Sequence, residues 1–174
     1  METTKHKLPN DVQLFLTNLK HYLDLPLYFY GSIQRHDFIN GSDLDVDIFT
    51  DNESSTIQKL SHYLNRPKSH FKKTIAKYNN DPTHTIIYGH KLQYTSKELS
   101  IPLEFAIYNE KNKKQVLYQH NSKIELPFYV SILLIILKKC YYTFHFINLK
   151  TYADTKKILL STFIGREPDI FIRI

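Results

Sequence analysis

Between residues 29 and 49 the sequence FYGSIQRHDFINGSDLDVDIF carries two of the chain's four glycines and four aspartates. Asp43, Asp45 and Asp47 alternate with Leu44, Val46 and Ile48. Side chains alternate faces along a strand, so this pattern predicts three carboxylates on one side and three aliphatic residues on the other. Like charges so close repel, and burying them without partners costs several kcal/mol each by desolvation, roughly speaking. A positive group is therefore expected against that face. Two neighbouring carboxylates can hold one or two hard divalent cations, Mg²⁺ or Mn²⁺, which also bind substrate phosphates.

Upstream, Gly31-Ser32 ends one apolar run, LYFY, and opens a turn. Glycine allows a phosphate to approach the backbone, and exposed N–H groups with a serine hydroxyl donate to its oxygens. Arg35 follows in the same turn, and its planar fork matches phosphate geometry. A phosphate-holding turn ahead of a metal-holding strand is the arrangement that aligns a nucleoside triphosphate for attack at its α-phosphorus. The attacking hydroxyl then needs a base, usually a third carboxylate from a neighbouring strand.

Gly31-Ser32, ten residues that end in Ser42, then Asp43-Leu44-Asp45 resembles the signature of the DNA polymerase β-like nucleotidyltransferase superfamily. The resemblance covers residues 27 to 49 well and 101 to 107 weakly. It implies that Asp43 and Asp45 are catalytic metal ligands and that Glu104, in the apolar run IPLEFAI, is the third carboxylate. Relatives more often have aspartate at that third position. Ser42 precedes Asp43 as in many relatives, which favours the Asp43/Asp45 pair; Asp45 and Asp47 form an alternative register. Gly31, Ser32, Arg35, Ser42 and Lys138 are the implied nucleotide contacts, with Lys139, Lys156 and Lys157 as further lysines of the same kind. The implied reaction is metal-dependent, template-independent transfer of a nucleoside monophosphate from an NTP to a hydroxyl of RNA, a small molecule or a protein. The alternative is an inactive, antitoxin-like module of the same fold that binds nucleotide, nucleic acid or a protein partner.

These residues need elements to hold them. Apolar spacing predicts a helix over 10–24, capped by Asn10 or Asp11 and ended by Pro26, then strands over 27–31 and 43–49. A helix capped by Ser54 or Ser55 is expected to about Asn65. Strands follow over 71–78, 84–94 and 101–108, with Gly89 read as a hairpin turn. Residues 115–120 suit a strand or short helix, and helices are expected over 128–143 and 149–163 before an extended or irregular tail. The order is that of an α+β fold, a mixed sheet flanked by helices with two more at the C-terminus. At 174 residues one domain is expected, with its core over about 10–125 and a helical part over about 127–174.

Composition narrows the chemistry further. The formal charge is +6 with pI near 9.2, which suits an anionic partner. Arg66, Lys68, Lys72, Lys73 and Lys77 suggest a basic stripe that would suit single-stranded nucleic acid. The single cysteine, Cys140, excludes an internal disulfide and a cysteine zinc site. Nine histidines are scattered without metal-ligand spacing, and no P-loop or GxGxxG occurs. The longest apolar run, 128–137, is too short to span a bilayer. With no apolar leader at the N-terminus, an intracellular, cytoplasmic protein with no membrane partner is expected.

Overall fold

The computed structural model describes residues 2–77, 86–164 and 170–173. The chain begins with helix α1 (Asn10–Leu23), which leads through the Leu25-Pro26 break into strand β1 (Leu27–Tyr30). A 3-10 turn (Gly31–Gln34) follows, then β2 (Leu44–Thr50) and α2 (Glu53–Tyr63). Strands β3 (Lys72–Lys77), β4 (Ile86–Tyr94) and β5 (Leu103–Asn109) precede helices α3 (Lys113–Asn121), α4 (Phe128–Tyr142) and α5 (Leu149–Ile164), and β6 (Ile170–Arg173) closes the chain.

The six strands form one sheet in the order β1-β2-β5-β4-β3-β6. Only the β2–β5 pair is parallel. The parallel contact is made possible by the long α2–β3–β4 excursion between the two strands, as a parallel pair requires. This is the expected α+β arrangement.

The sheet has two unlike faces. Leu27, Phe29, Leu44, Val46, Ile48, Leu103, Phe105 and Ile107 point one way and form the main core with Val12, Leu16, Leu19 and Leu23 of α1 and Ile57 and Leu60 of α2. The opposite face is split. Its lower part is apolar, where Phe49, Ala106 and Tyr108 meet Val116 of α3. Its upper part carries the acidic residues of β2 and β5.

Several local expectations differ from the structure. Gly89 is not a turn: it lies mid-β4 opposite Tyr108, and a Cβ there would stand 2.6 Å from the Tyr108 ring. The glycine makes room for an aromatic ring on the neighbouring strand. The β3–β4 connection lies outside the described residues. Of the two alternatives for 115–120 the helix holds, over Lys113–Asn121. The cap of α2 is Asn52, whose side chain accepts from Ser55 N. Pro9, not Asn10 or Asp11, precedes the first turn of α1, and the Asp11 carboxylate instead accepts from Ser100 N and Oγ, at 2.6 and 3.1 Å. The C-terminal part is not purely helical, because β6 returns to pair with β3.

Candidate active site

A cavity of about 210 Å³ opens over the upper part of the sheet. Tyr30, at the end of β1, and the Gly31-Ser32 turn form one wall. Gly31 has φ +74°, and a Cβ there would overlap Asp45 Oδ2. A glycine is thus required twice, by backbone conformation and by the closeness of the carboxylate. Asp43 and Asp45 enter from β2, and Glu104 from β5, where it is the direct register partner of Asp45. Adjacent parallel strands put these two side chains on the same face.

The acids are not equivalent. Glu104 is buried, and its Oε1 accepts from Lys91 Nζ at 2.5 Å. Burial lowers the Lys91 pKa and Glu104 raises it, with a net rise, so the Lys91 ammonium stays charged. Asp45 has no such partner. Burial first, then the charges of Asp43 and Glu104, push its pKa up to about 8 against the pull of Lys156 and Lys91. Burial and the two neighbouring acids thus favour its protonated form more than Lys156 and Lys91 favour the charged one.

Asp47 stands apart. It is fully buried, outside the cavity, with Oδ2 2.8 Å from His120 Nε2. That approach is off the line of a hydrogen bond, and neither Asp47 oxygen has a hydrogen-bond partner. His120 itself lines the cavity and stacks on Tyr30 at 3.9 Å. The structure therefore brings Asp43 and Asp45 together at the cavity and places Asp47 behind it.

Among the expected nucleotide contacts, Gly31, Ser32 and Arg35 reach the cavity, whereas Ser42 and Lys138 do not line it. Arg35 is committed, since its Nε and Nη2 donate to the two oxygens of Asp37 at 2.7 and 3.1 Å. Lys138 is buried, donates to the Asp37 carbonyl at 2.7 Å and Ser42 Oγ at 3.1 Å, and lies 3.2 Å from Asp37 Oδ2. Burial lowers the Lys138 pKa to about 8 in spite of Asp37. Asp37 itself is held below its usual range, because the Arg35 and Lys138 contacts outweigh its burial. Ser42 and Lys138 thus fasten α4 to the turn that delivers Asp43.

Sequence reasoning missed Lys91, Lys123 and His120, which all line the cavity. Lys91 was legible in part: it alternates with Gly89 and Gln93 along β4, so these three share a face. Which strand that face meets depends on a register that the sequence leaves open. Lys156, named among the C-terminal lysines, also lines the cavity.

Among the described residues, no three carboxylate, imidazole or thiolate groups converge closely enough to hold a metal ion by themselves. Asp43 and Asp45 offer two oxygen-bearing groups, while Glu104 is engaged by Lys91. This donor set fits a Mg²⁺ or Mn²⁺ ion completed by substrate phosphates and water, and does not fit an all-protein cage.

No family model matches the sequence, and no curated protein matches it. Among solved structures the chain is similar to the conserved protein GrpB from Enterococcus faecalis, with TM-score 0.55 at 14% identity over 94% of this chain and 98% of GrpB. It also aligns with the Cid1 poly(U) polymerase, with TM-score 0.43 at 15% identity over 76% of this chain and 41% of that one. The second likeness is too loose to carry an argument, and the first is one of fold alone. That fold is the α+β arrangement expected from the sequence, a mixed sheet flanked by helices.

Proposed function

We propose that this chain is a metal-dependent nucleotidyltransferase that moves a nucleoside monophosphate from an NTP to a hydroxyl acceptor without a template. One observation carries the reading: the Gly31-Ser32 turn and the Asp43/Asp45 pair, ten residues apart in sequence, open onto one cavity whose walls also carry Arg35, Lys91, Lys123 and Lys156. Ser32 and the backbone of the turn would donate to phosphate oxygens, with Lys123 and Lys156 opposing the remaining charge.

Asp43 and Asp45 would hold Mg²⁺ or Mn²⁺, which supplies charge stabilisation at the reacting phosphate. The acceptor oxygen forms its bond to the α-phosphorus as the α–β anhydride bond breaks, and pyrophosphate leaves with that electron pair. Glu104, beside Asp45 in register, is the carboxylate placed to take the acceptor's proton. The direct test is incubation with α-labelled NTPs and Mg²⁺ or Mn²⁺, with RNA, with protein and with neither. Transfer of label that is lost in Asp43→Asn is expected; transfer that persists in that variant overturns the assignment.

A second reading has its own support. The Lys91–Glu104 contact engages the carboxylate that the reaction needs, which favours a module that binds nucleotide without turning it over. Metal-dependent NTP binding without transfer of label to any acceptor would select it.

A further inference from the structure

On the face that holds the acids, the sheet changes sign from one half to the other. Register places Gln93 beside Glu104, Lys91 beside Ala106, and Lys72 beside Lys91. The acidic strands β2 and β5 therefore give way to basic positions on β4 and β3, at the same end of the sheet. Adjoining the cavity there is a groove of about 400 Å³ lined by His70, Lys72, Lys91, Leu92 and Gln93. Among the described residues no carboxylate lines it, and Lys91 belongs to both the groove and the cavity. Lys72 and His70 are exposed, so the Lys72 charge and the His70 ring are open to a ligand. Strands lie about 4.8 Å apart, which puts the β3 wall about 10 Å from β5 and Glu104.

The triphosphate turn lies at the opposite end of the cavity, on β1. A molecule that enters along the groove thus meets the carboxylates from the side away from Gly31 and Ser32, where an acceptor must come from for in-line attack. An uncharged acceptor gains nothing from the Lys72 ammonium there. An acceptor with a phosphate near its hydroxyl does, since the ammonium opposes its charge and the His70 ring offers a polar contact beside it.

We propose that the acceptor is itself phosphorylated, with a phosphate against Lys72 and His70 and its hydroxyl presented past Lys91 to the Asp45–Glu104 end of the cavity. This rests on the nucleotidyl-transfer reading of the cavity. The shared chemistry is a phosphate mono- or diester, borne by the end of a nucleic acid strand or by a phosphorylated small molecule.

The test uses the full chain and two separate titrations. The first measures a nonhydrolysable NTP analogue with Mg²⁺. The second measures a labelled single-stranded RNA oligonucleotide, with a nucleoside monophosphate and the matching unphosphorylated nucleoside as competitors. Lys72→Ala is expected to weaken the oligonucleotide about fivefold and to flatten its salt slope by about 0.7, the value for one phosphate contact on a single strand. Lys72→Arg should restore both, and the NTP analogue should bind Lys72→Ala as it binds the wild type. A strand-end acceptor shows as Lys72-dependent oligonucleotide binding. A small acceptor shows as Lys72-dependent binding of the monophosphate alone. The proposal is overturned if the nucleoside competes as well as the monophosphate, or if Lys72→Ala binds both phosphorylated ligands like the wild type. Failure of the NTP analogue alone refutes the transfer reading of the cavity and leaves the oligonucleotide result to decide the groove.

Discussion

Two clusters of ionisable groups, both fed by the segment after β1, are built in opposite ways. In the first, Asp37 receives two hydrogen bonds from Arg35 and lies 3.2 Å from the Lys138 ammonium, whose remaining donors go to a carbonyl and to Ser42. Every charge there faces an opposite one. In the second, Asp43 and Asp45 face each other and Glu104, Lys91 is bound to Glu104, and the pull of Lys156 on Asp45 does not offset burial and the two neighbouring acids. A fully paired cluster is complete without a ligand, and its effect is to fix α4 against the active-site turn. A cluster left short of positive charge is complete only when a cation arrives. Pairing therefore distinguishes architecture from site in this molecule, although both clusters are aspartate-centred; the first is buried and the second opens onto the cavity.

The largest effect should come from the paired cluster. Lys138→Met leaves Asp37 short of one counter-charge in the interior, and a loss of about 3–5 kcal/mol of stability is expected in urea denaturation. A loss below about 1 kcal/mol, typical of a surface pair, would erase the contrast between the clusters. The site behaves differently. Asp45→Asn should weaken Mg²⁺-dependent nucleotide binding at least a hundredfold, beyond the roughly 10–100-fold that mutation of outer-shell partners costs. The same change should not lower the stability of the ligand-free protein, because it removes a carboxylate that burial disfavours.

Gly31→Ala comes next. A left-handed φ costs a residue with a side chain roughly 1–2 kcal/mol, and the new Cβ would displace Asp45. Weaker metal and nucleotide binding together, with a melting temperature lowered by several °C, is the expected pair of readings.

The smallest effect concerns pH. The folded protein holds a proton on Asp45 up to about pH 8 that the unfolded chain releases near the ordinary 3.8. More protons are bound in the native state across that window, so this group makes stability fall as pH rises from 3.8 toward 8. Metal binding must displace the same proton, and affinity for Mg²⁺ should rise up to about tenfold per pH unit below pH 8 and then level off. In Asp45→Asn that pH dependence should vanish.

The elements and the two aspartates were legible because period and alternation write them directly. Leu44, Val46 and Ile48 had to face a core, so Asp43 and Asp45 had to share the other side. The errors arose where long-range packing decides. Gly89 read as a turn until Tyr108 on β5 was placed against it. The tail read as extended or irregular, and that it is a strand paired with β3 depends on a partner far away in sequence. Lys138 read as a nucleotide contact, although it continues the buried stripe of Val130 and Leu134 at four-residue spacing. That spacing was a sign of burial, and the missing piece was the partner, Asp37, one hundred and one residues away in sequence. Glu104 was found from its apolar surroundings, but its engagement by Lys91 depends on the β4–β5 register, which no local pattern encodes.

The central claim is that the under-paired carboxylates complete themselves with a divalent cation and a nucleotide's phosphates. Calorimetric titration of a nonhydrolysable NTP analogue into the wild type and Asp45→Asn, each with Mg²⁺ and with chelator, tests it most directly. The expected result is saturable binding that needs both Mg²⁺ and Asp45. Binding that is absent in all four titrations, or equal in all four, would contradict it.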